Sequence, residues 1–146
     1  MRFQTFFACV LLAGGLALAG CVQPGGGVKS FHATLSGAQE VPPVPGKGSG
    51  QADVKLDTAT HVITWNLTFS NLSGPPVAAH IHGPAAPGAN AGVLIGFKVG
   101  GNPITGSAVL TDPQIAALMA GNLYINIHTA KNKPGEIRGQ LAPYGM

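Results

Sequence analysis

Cysteine and charged residues are both scarce in this chain of 146 residues. The two cysteines, Cys9 and Cys21, lie within the first 21 residues, so the rest of the chain can form no disulfide. Its stability must come from an apolar core or from a bound metal. Charged residues make up 9% of the chain, and the formal net charge is only +3. The basic residues are scattered, without the runs and interleaved aromatics that nucleic-acid binding needs, so we expect no nucleic-acid partner.

Sequence motifs of catalysis are missing as well. The chain has no nucleotide-binding loop, no internal repeat, no coiled-coil pattern and no second hydrophobic domain. No nucleophile is paired with a general base, so we assign no catalytic residue. A carboxylate pair of the glycosidase kind, Glu40 with Glu136, would need a fixed separation that a sequence does not give.

The first 20 residues have the form of a secretory signal, with Arg2 before an apolar run from Phe6 to Ala19. The alternative is an uncleaved membrane helix, but the run is shorter than the ~20 residues that a membrane span needs. The signal ends in Leu18-Ala19-Gly20-Cys21, which resembles a bacterial lipobox. This resemblance implies that Cys21 is lipidated and becomes the first residue of a lipid-anchored, extracytoplasmic protein.

Residues 21–28 follow as a flexible tether, because Pro24-Gly25-Gly26-Gly27 is unlikely to hold a fixed structure. Val22 rather than Asp follows the cysteine, which by resemblance to Gram-negative lipoproteins permits export to the outer membrane, facing the periplasm or the cell surface. Residues 29–146 are of a size that forms one domain with a sizeable core. Removal of the signal takes away Arg2 and lowers the formal net charge to +2.

Short segments with alternating apolar and polar residues predict β-strands in this domain. The clearest segment is 61–69, with Ile63, Trp65 and Leu67 turned inward, and it forms a predicted hairpin with 49–56. One short helix is predicted after Thr111 as N-cap, with Gly121 closing it. Together these elements predict an all-β fold, an antiparallel Greek-key β-sandwich of about eight strands with one short helix. The other strands are predicted at 31–36, 77–82, 93–99, 104–110, 123–128 and 136–141.

Three histidines form the candidate metal site. His80 and His82 alternate in one predicted strand and therefore share a face, and His128 lies on the polar face of another strand. Neutral imidazoles are ligands for copper or zinc, and with no thiolate present copper is the first choice and zinc the second. The alternative is that these histidines hydrogen-bond across strands and fix the neighbouring loops. His32 and His61 are expected to be exposed, and either is a weaker candidate for a fourth ligand.

Four segments, in the same order, resemble those of the CHRD domain, a module named from chordin and found in many bacterial secreted proteins. The resemblance spans the whole domain, and it implies little about chemistry. A weaker resemblance is to copper,zinc superoxide dismutase, in which a His-x-His strand and a distant histidine bind copper. The chain lacks the bridging histidine, the clustered zinc site and the disulfide of that enzyme. The four segments are Leu35–Pro43, Ala79–Ala85, Gly121–Thr129 and Pro134–Leu141.

Five polar residues within these segments could orient the imidazoles from outside the ligand set. Tyr124 and Asn126 flank the histidine face. Glu40, Glu136 and Arg138 could orient an imidazole, or Arg138 could bind an anion. The simpler alternative is a Glu-Arg pair that ties the proline-rich loop to the last strand.

Three functions remain open from the sequence. The first is a lipid-anchored copper-binding or zinc-binding module, for storage, delivery or protection. The second is a protein-interaction domain with structural histidines. The third and weakest is a dismutase-like copper enzyme.

Overall fold

The computed structural model describes residues 26–144, which form an antiparallel β-structure with one α-helix and a single 3-10 turn at Gly37–Gln39. Cys21, the predicted signal sequence and most of the predicted tether lie outside the described residues. No helix within 26–144 is long and apolar enough to cross a membrane. The elements are β1 (Val28–Ser36), β2 (Ser49–Asp57), β3 (Val62–Ser70), β4 (Pro76–His82), β5 (Val93–Gly96), β6 (Ile104–Val109), α1 (Asp112–Met119), β7 (Tyr124–Thr129), β8 (Ile137–Gln140) and β9 (Ala142–Pro143).

The strands form one hydrogen-bonded series in the order β5-β4-β7-β8-β1-β2-β3-β6, with β9 added beside β1. All the pairs are antiparallel, and β1, β2 and β3 are joined as successive hairpins, as predicted for β2 and β3. The two halves of the series meet where β8 pairs with β1 through Ser36 and Arg138. Trp65 of β3 stacks on Phe97, which follows β5, with ring centroids 4.3 Å apart. The two ends of the series therefore come together, and the sheet nearly closes into a sandwich-like barrel.

Strand alternation places one core between the two halves. In β1, β2 and β3, every second side chain is buried in that core, and the side chains between them are exposed. In β4 and β7 the core residues are Ala79 and Ile81, and Ile125 and Ile127, all with no exposed surface. The predicted all-β antiparallel fold is confirmed. The prediction that His80, His82 and His128 share the opposite, polar side of β4 and β7 agrees with the strand register.

Some predicted boundaries were wrong. Strand β1 begins at Val28, within the segment assigned to the tether, because its backbone pairs with Asp57 of β2. Strand β5 ends at Gly96 rather than at residue 99, although Phe97 still donates its N–H to the carbonyl of Ala79 at 2.8 Å. The short strand β9 was not predicted, since two residues carry no period-two pattern.

The helix α1 follows the predicted signals closely. Gln114 Oε1 accepts from the N–H of Thr111 at 2.9 Å, as in a capping box. Gly121 has φ +72°, the left-handed conformation expected after a helix C-terminus. Leu118 is fully buried in the core, and Met119 is 43% exposed.

Strand β7 differs from the other strands because all six of its residues are buried. The turn after β7 contacts His128 and Thr129, and the segment from residue 83 to residue 92 lies back over the outer side of β4, β7 and β8. The turn into that segment begins at Gly83, where φ is +153° and a Cβ would overlap with the side chain of Leu123. The outer side of these three strands is thus a polar layer enclosed between a sheet and a loop.

Candidate metal centre

The enclosed polar layer is built from three strands in register. His80 of β4 is level with Asn126 of β7 and Arg138 of β8, and His82 is level with Tyr124 and Gln140. His128 lies opposite Ala78, whose small side chain leaves space beside the imidazole. The β-pairing therefore converts a sequence separation of 48 residues between His80 and His128 into a direct contact. The structure brings all three predicted ligands together.

The three imidazoles form a compact cluster. One ligand nitrogen from each ring of His80, His82 and His128 lies within 4.8 Å of the others, and no other His, Cys, Asp or Glu among the described residues joins them. Nδ1 of His80 lies 2.9 Å from Nε2 of His128. A tetrahedral ion with metal–nitrogen bonds of about 2.0 Å has ligand nitrogens about 3.3 Å apart. The residues therefore fit a three-coordinate or four-coordinate ion after small movements of the rings.

Backbone carbonyls fix the tautomers of two of these rings. Nδ1 of His82 lies 3.0 Å from the carbonyl oxygen of Ala91, and Nδ1 of His128 lies 2.8 Å from that of Lys133. A carbonyl can only accept, so in both rings Nδ1 carries the proton and donates it. The lone pair then belongs to Nε2. This is the usual arrangement of metal-binding histidines, in which the second nitrogen donates to a carbonyl or carboxylate and fixes the ring.

Asn126 occupies the other side of His82. Its Oδ1 atom lies 3.0 Å from Nε2 of His82, and the residue is 3% exposed. The oxygen and nitrogen of an amide exchange places when the group turns by 180°, and the NH₂ is the end that can donate to a lone pair. Asn126 therefore satisfies the lone pair of His82 when no ion does so, and an ion at Nε2 would displace it.

Burial favours the neutral form of His80 and of His82. Desolvation lowers the pKa of His80, and the neighbouring His128 and His82 lower it further. Desolvation also lowers the pKa of His82, and this effect outweighs the hydrogen bond that His82 donates to the carbonyl of Ala91, which acts in the opposite direction. The neutral ring is the form that binds a metal ion. Both rings thus stay competent as ligands below the pH at which a free histidine becomes protonated.

Tyr124 and Arg138 support His82 from beside the cluster. The ring of Tyr124 stacks on the imidazole of His82, with centroids 4.9 Å apart and planes inclined by 3°. The Cζ atom of Arg138 lies 3.5 Å from the centroid of the Tyr124 ring. The Tyr124 hydroxyl accepts from the N–H of Ala91 at 3.1 Å and lies 3.3 Å from its carbonyl oxygen. Tyr124 therefore holds both the ring of His82 and the carbonyl that orients it.

Arg138 also fastens the covering loop. Its side chain is 1% exposed, and it donates from Nη1 to Asn90 Oδ1 at 3.1 Å and from Nη2 to the carbonyl of Ala89 at 2.8 Å. Gln140, one position further along the same face, donates from Nε2 to the carbonyl of Ala85 at 2.8 Å. These bonds hold both ends of the segment that supplies Ala91 to His82.

Glu40 makes no hydrogen bond to the histidines. It is 7% exposed, and its Oε1 atom has no hydrogen-bond partner among the described residues. Burial raises the pKa of Glu40 to about 7, although the positive charge of Arg138 and a bond from the backbone of Val41 act in the opposite direction. Glu40 and Arg138 thus interact electrostatically, without a close ion pair.

Glu136 lies away from the imidazoles as well. Its carboxylate accepts from the N–H of Ser73 at 2.6 Å and from the hydroxyls of Ser73 at 2.5 Å and Thr129 at 2.6 Å. Burial raises the pKa of Glu136, but these hydrogen bonds and one from Asn132 outweigh burial and leave the pKa below its usual value. Its contacts fix the loop before β4 to the end of β7, which is a structural task.

His32 and His61, the weaker candidates for a fourth ligand, lie outside the cluster. His32 is exposed on β1 with its ring 4.7 Å from that of Tyr144. His61 lies in the turn before β3, with Nδ1 3.5 Å from a carboxylate oxygen of Asp112. The fourth position of a bound ion would therefore fall to water or to an exogenous ligand.

Comparison with known proteins identifies the domain. The family model for the CHRD domain matches residues 31–141, which is most of the chain. This chain belongs to the CHRD family. No curated protein and no solved structure matches it. The weaker resemblance to copper,zinc superoxide dismutase therefore gains no support from these comparisons.

Several residues that shape this CHRD domain's centre were not singled out from the sequence. Ala91 and Lys133 act through backbone carbonyls, which every residue has, so no side-chain pattern marks them. Asn90 and Gln140 fix the covering loop through contacts across 48 and 55 residues. The one usable signal was the length of the irregular segment between β4 and β5, since long loops in compact domains are usually functional.

Proposed function

We propose that this CHRD domain is a metal-binding module that holds one copper ion, with zinc as the alternative, through Nδ1 of His80 and Nε2 of His82 and His128. The observation that carries the proposal is the tautomer of two rings. The carbonyls of Ala91 and Lys133 accept hydrogen bonds from the protonated Nδ1 of His82 and of His128. The lone pair on Nε2 of each ring is then available to a metal ion. Two carbonyls oriented in this way are what a ligand set requires.

The composition of the donor set favours copper. The cluster offers only imidazole nitrogens, which suit copper and zinc, and no thiolate is present beyond Cys9 and Cys21. Between the two ions, the general order of affinity places Cu²⁺ above Zn²⁺ at the same ligands. Met119 is exposed on α1 and offers no thioether to the cluster. The copper assignment follows from this chemistry.

Storage or delivery of the ion, or protection against it, is the role that fits such a module. Three protein ligands leave a position open for exchange, and His80, the least buried of the three, stands at the accessible side. A bound ion would serve as cargo, and the protein would contribute the ligands, their orientation and the enclosing loop. No residue with the role of a general acid or base is assigned.

The same proposal places the domain outside the cytoplasm, held to a membrane by lipid on Cys21. The support is the lipobox-like end of the signal, Leu18-Ala19-Gly20-Cys21, with a glycine-rich tether after it. Val22 in the position after the cysteine permits outer-membrane attachment, facing the periplasm or the cell surface.

Calorimetry with Cu²⁺ and Zn²⁺ tests the proposal on the mature protein without Cys21. The parent is compared with a His80→Ala/His82→Ala variant, and a His32→Ala/His61→Ala variant serves as control because it removes two histidines outside the cluster. Thermal unfolding confirms that both variants fold. We expect one tight site in the parent and in the control and none in the cluster variant. Absence of binding in the parent, or equal binding in all three proteins, would refute the proposal.

A second function is favoured by a different observation. The cluster is internally satisfied without an ion, since His80 bonds to His128 and His82 bonds to both Ala91 and Asn126. On that alternative the CHRD domain is a protein-interaction module, and its histidines fasten the covering loop. In that case the parent would bind no metal. The His80→Ala/His82→Ala variant would then differ from the parent only in its lower stability.

A further inference from the structure

The opposite half of the sheet carries a second surface, which the metal site does not use. The outward side chains of β1, β2 and β3 form a regular array rich in hydroxyl and amide groups, which we call the hydroxyl-amide face. Nearly all of them are exposed. Neighbouring rows are about 5 Å apart across the strands and about 7 Å apart along them. The face consists of Ser30, His32 and Thr34 of β1, Ser49, Gln51, Asp53 and Lys55 of β2, and Thr64, Asn66, Thr68 and Ser70 of β3.

Three adjoining hollows run along this face. The first, about 490 Å³, contains Asp53 and the ring of Tyr144 in its lining, and the second, about 180 Å³, shares both residues with it. The third, about 330 Å³, shares Thr34 and Gln51 with the second. From Lys55 to Ser49 the face extends for about 20 Å along β2. The hollows are therefore parts of one elongated groove, which is longer than a single small molecule.

Tyr144 stands as an aromatic wall between the first two hollows. Its N–H donates to the carbonyl of Ser30 at 3.0 Å, and its hydroxyl donates to Asp53 Oδ1 at 2.5 Å. The ring of Tyr144 lies 4.7 Å from the ring of His32, yet the residue remains 56% exposed. The ring is thus held upright by three contacts while one of its faces stays free for a ligand.

The polar groups of the groove are available to a ligand. The side chains of Gln51, Lys55, Thr64 and Asn66 make no hydrogen bond among the described residues, although hydroxyls elsewhere on the face do, such as Ser49 with Ser70 at 2.9 Å. One carboxylate, Asp53, and one ammonium, Lys55, balance each other. The lining offers both donors and acceptors and no excess charge.

We propose that the hydroxyl-amide face binds a chain of a neutral polysaccharide. Each sugar ring presents hydroxyls that both donate and accept, which matches amides and hydroxyls, and an apolar C–H surface that packs on an aromatic ring such as Tyr144. A protein partner would require an apolar centre to its interface, and this face has none. A charged polymer would require a surplus of opposite charge, which the Asp53 and Lys55 pair does not supply.

Affinity electrophoresis tests this proposal on the full chain, kept in a polyoxyethylene detergent. The gels contain hydroxyethylcellulose, galactomannan or dextran, all neutral polysaccharides. We expect retardation in at least one of them and an apparent affinity at least tenfold lower for Tyr144→Ala and for Gln51→Ala/Asn66→Ala. Tyr144→Phe, which keeps the ring, retains most of the affinity. The His80→Ala/His82→Ala variant is retarded as much as the parent, so the result is independent of the metal proposal.

Two results would overturn the proposal. One is an absence of retardation in all three gels, or retardation that survives both Tyr144→Ala and Gln51→Ala/Asn66→Ala. The other is a concentration-dependent dimer, measured by sedimentation, that Tyr144→Ala abolishes, because the face would then be the contact between two copies of this chain.

Discussion

The Nδ1 atom of His80 and the Nε2 atom of His128 lie 2.9 Å apart. Because Nδ1 of His128 donates to the carbonyl of Lys133, its Nε2 can only accept, and His80 must carry its proton on Nδ1. That atom is the one that would bind a metal ion. Metal binding therefore requires the proton of His80 to move to Nε2, while the tautomers of His82 and His128 stay unchanged.

Nitrogen-15 NMR with Zn²⁺, a diamagnetic ion, measures this change directly. We expect the protonated nitrogen of His80 to switch from Nδ1 to Nε2 when zinc is added, with Nδ1 remaining protonated in His82 and His128. The rings of His32 and His61 serve as internal controls and keep their spectra. A protonated Nδ1 of His80 in the zinc-loaded protein would contradict the ligand assignment.

Tyr124→Phe removes the hydroxyl that holds Ala91 but keeps the ring stacked on His82. We expect copper affinity to fall about tenfold, because residues that orient a metal ligand are typically worth 10–100-fold. The free energy of unfolding should fall by about 1 kcal/mol for the lost hydrogen bond. Competition calorimetry and urea unfolding measure the two effects. Tyr144→Phe is the matched control, and an equal loss of copper affinity in both variants would refute the role of Tyr124.

Glu40 gives the protein a predictable pH dependence. Its pKa is about 7 in the folded state against 4.5 when free, so between these values the folded protein binds more protons than the unfolded chain. Stability therefore falls as pH rises through this range, by up to about 3 kcal/mol. Glu40→Gln removes this contribution. We expect the variant to gain stability relative to the parent by up to that amount between pH 4.5 and pH 8.

Urea unfolding at several pH values measures the difference between parent and variant, in which contributions from the histidines cancel. Glu136→Gln is the matched control, because the pKa of Glu136 is lowered and its ionised form stabilises the fold. The control variant should therefore lose stability at neutral pH. A difference between Glu40→Gln and the parent that does not change with pH would contradict a buried carboxyl with a raised pKa.

Lipid on Cys21 is predicted to attach the domain to a membrane. Cys21→Ala should abolish incorporation of labelled fatty acid and release the domain from the membrane fraction, because no other cysteine remains after the signal is removed. Cys9→Ala should change neither, since Cys9 leaves with the signal. Fatty-acid labelling that persists in Cys21→Ala would contradict a lipid anchor on Cys21.

Periodicity in the sequence predicted the parts of the fold that depend on neighbouring residues. The alternation of Ile125 and Ile127 with Asn126 and His128 gave the correct two sides of β7, because a strand's side chains alternate whatever it packs against. The capping signals around Thr111 gave the helix for the same local reason. The end of β5 at Gly96 could not be predicted, because it depends on which partner strand is present.

Burial of the polar side was beyond the reach of the sequence. Asn126 and His128 were expected on a polar face, and such faces of antiparallel sheets are commonly solvated. Asn126 is buried beside His82 and Arg138, both of which contact the loop from residue 83 to residue 92, and His128 contacts the carbonyl of Lys133. The separation of Glu136 from the imidazoles also depends on tertiary contacts, because Ser73 and Thr129 donate hydrogen bonds to its carboxylate.

The most direct test of the metal centre is the anomalous scattering of copper in crystals of the copper-loaded protein. We predict one strong peak at the copper absorption edge, about 2 Å from Nδ1 of His80 and from Nε2 of His82 and His128. His80→Ala/His82→Ala crystals treated in the same way should show none at that place. A copper peak elsewhere, or an empty cluster with Asn126 still bonded to His82, would contradict the account.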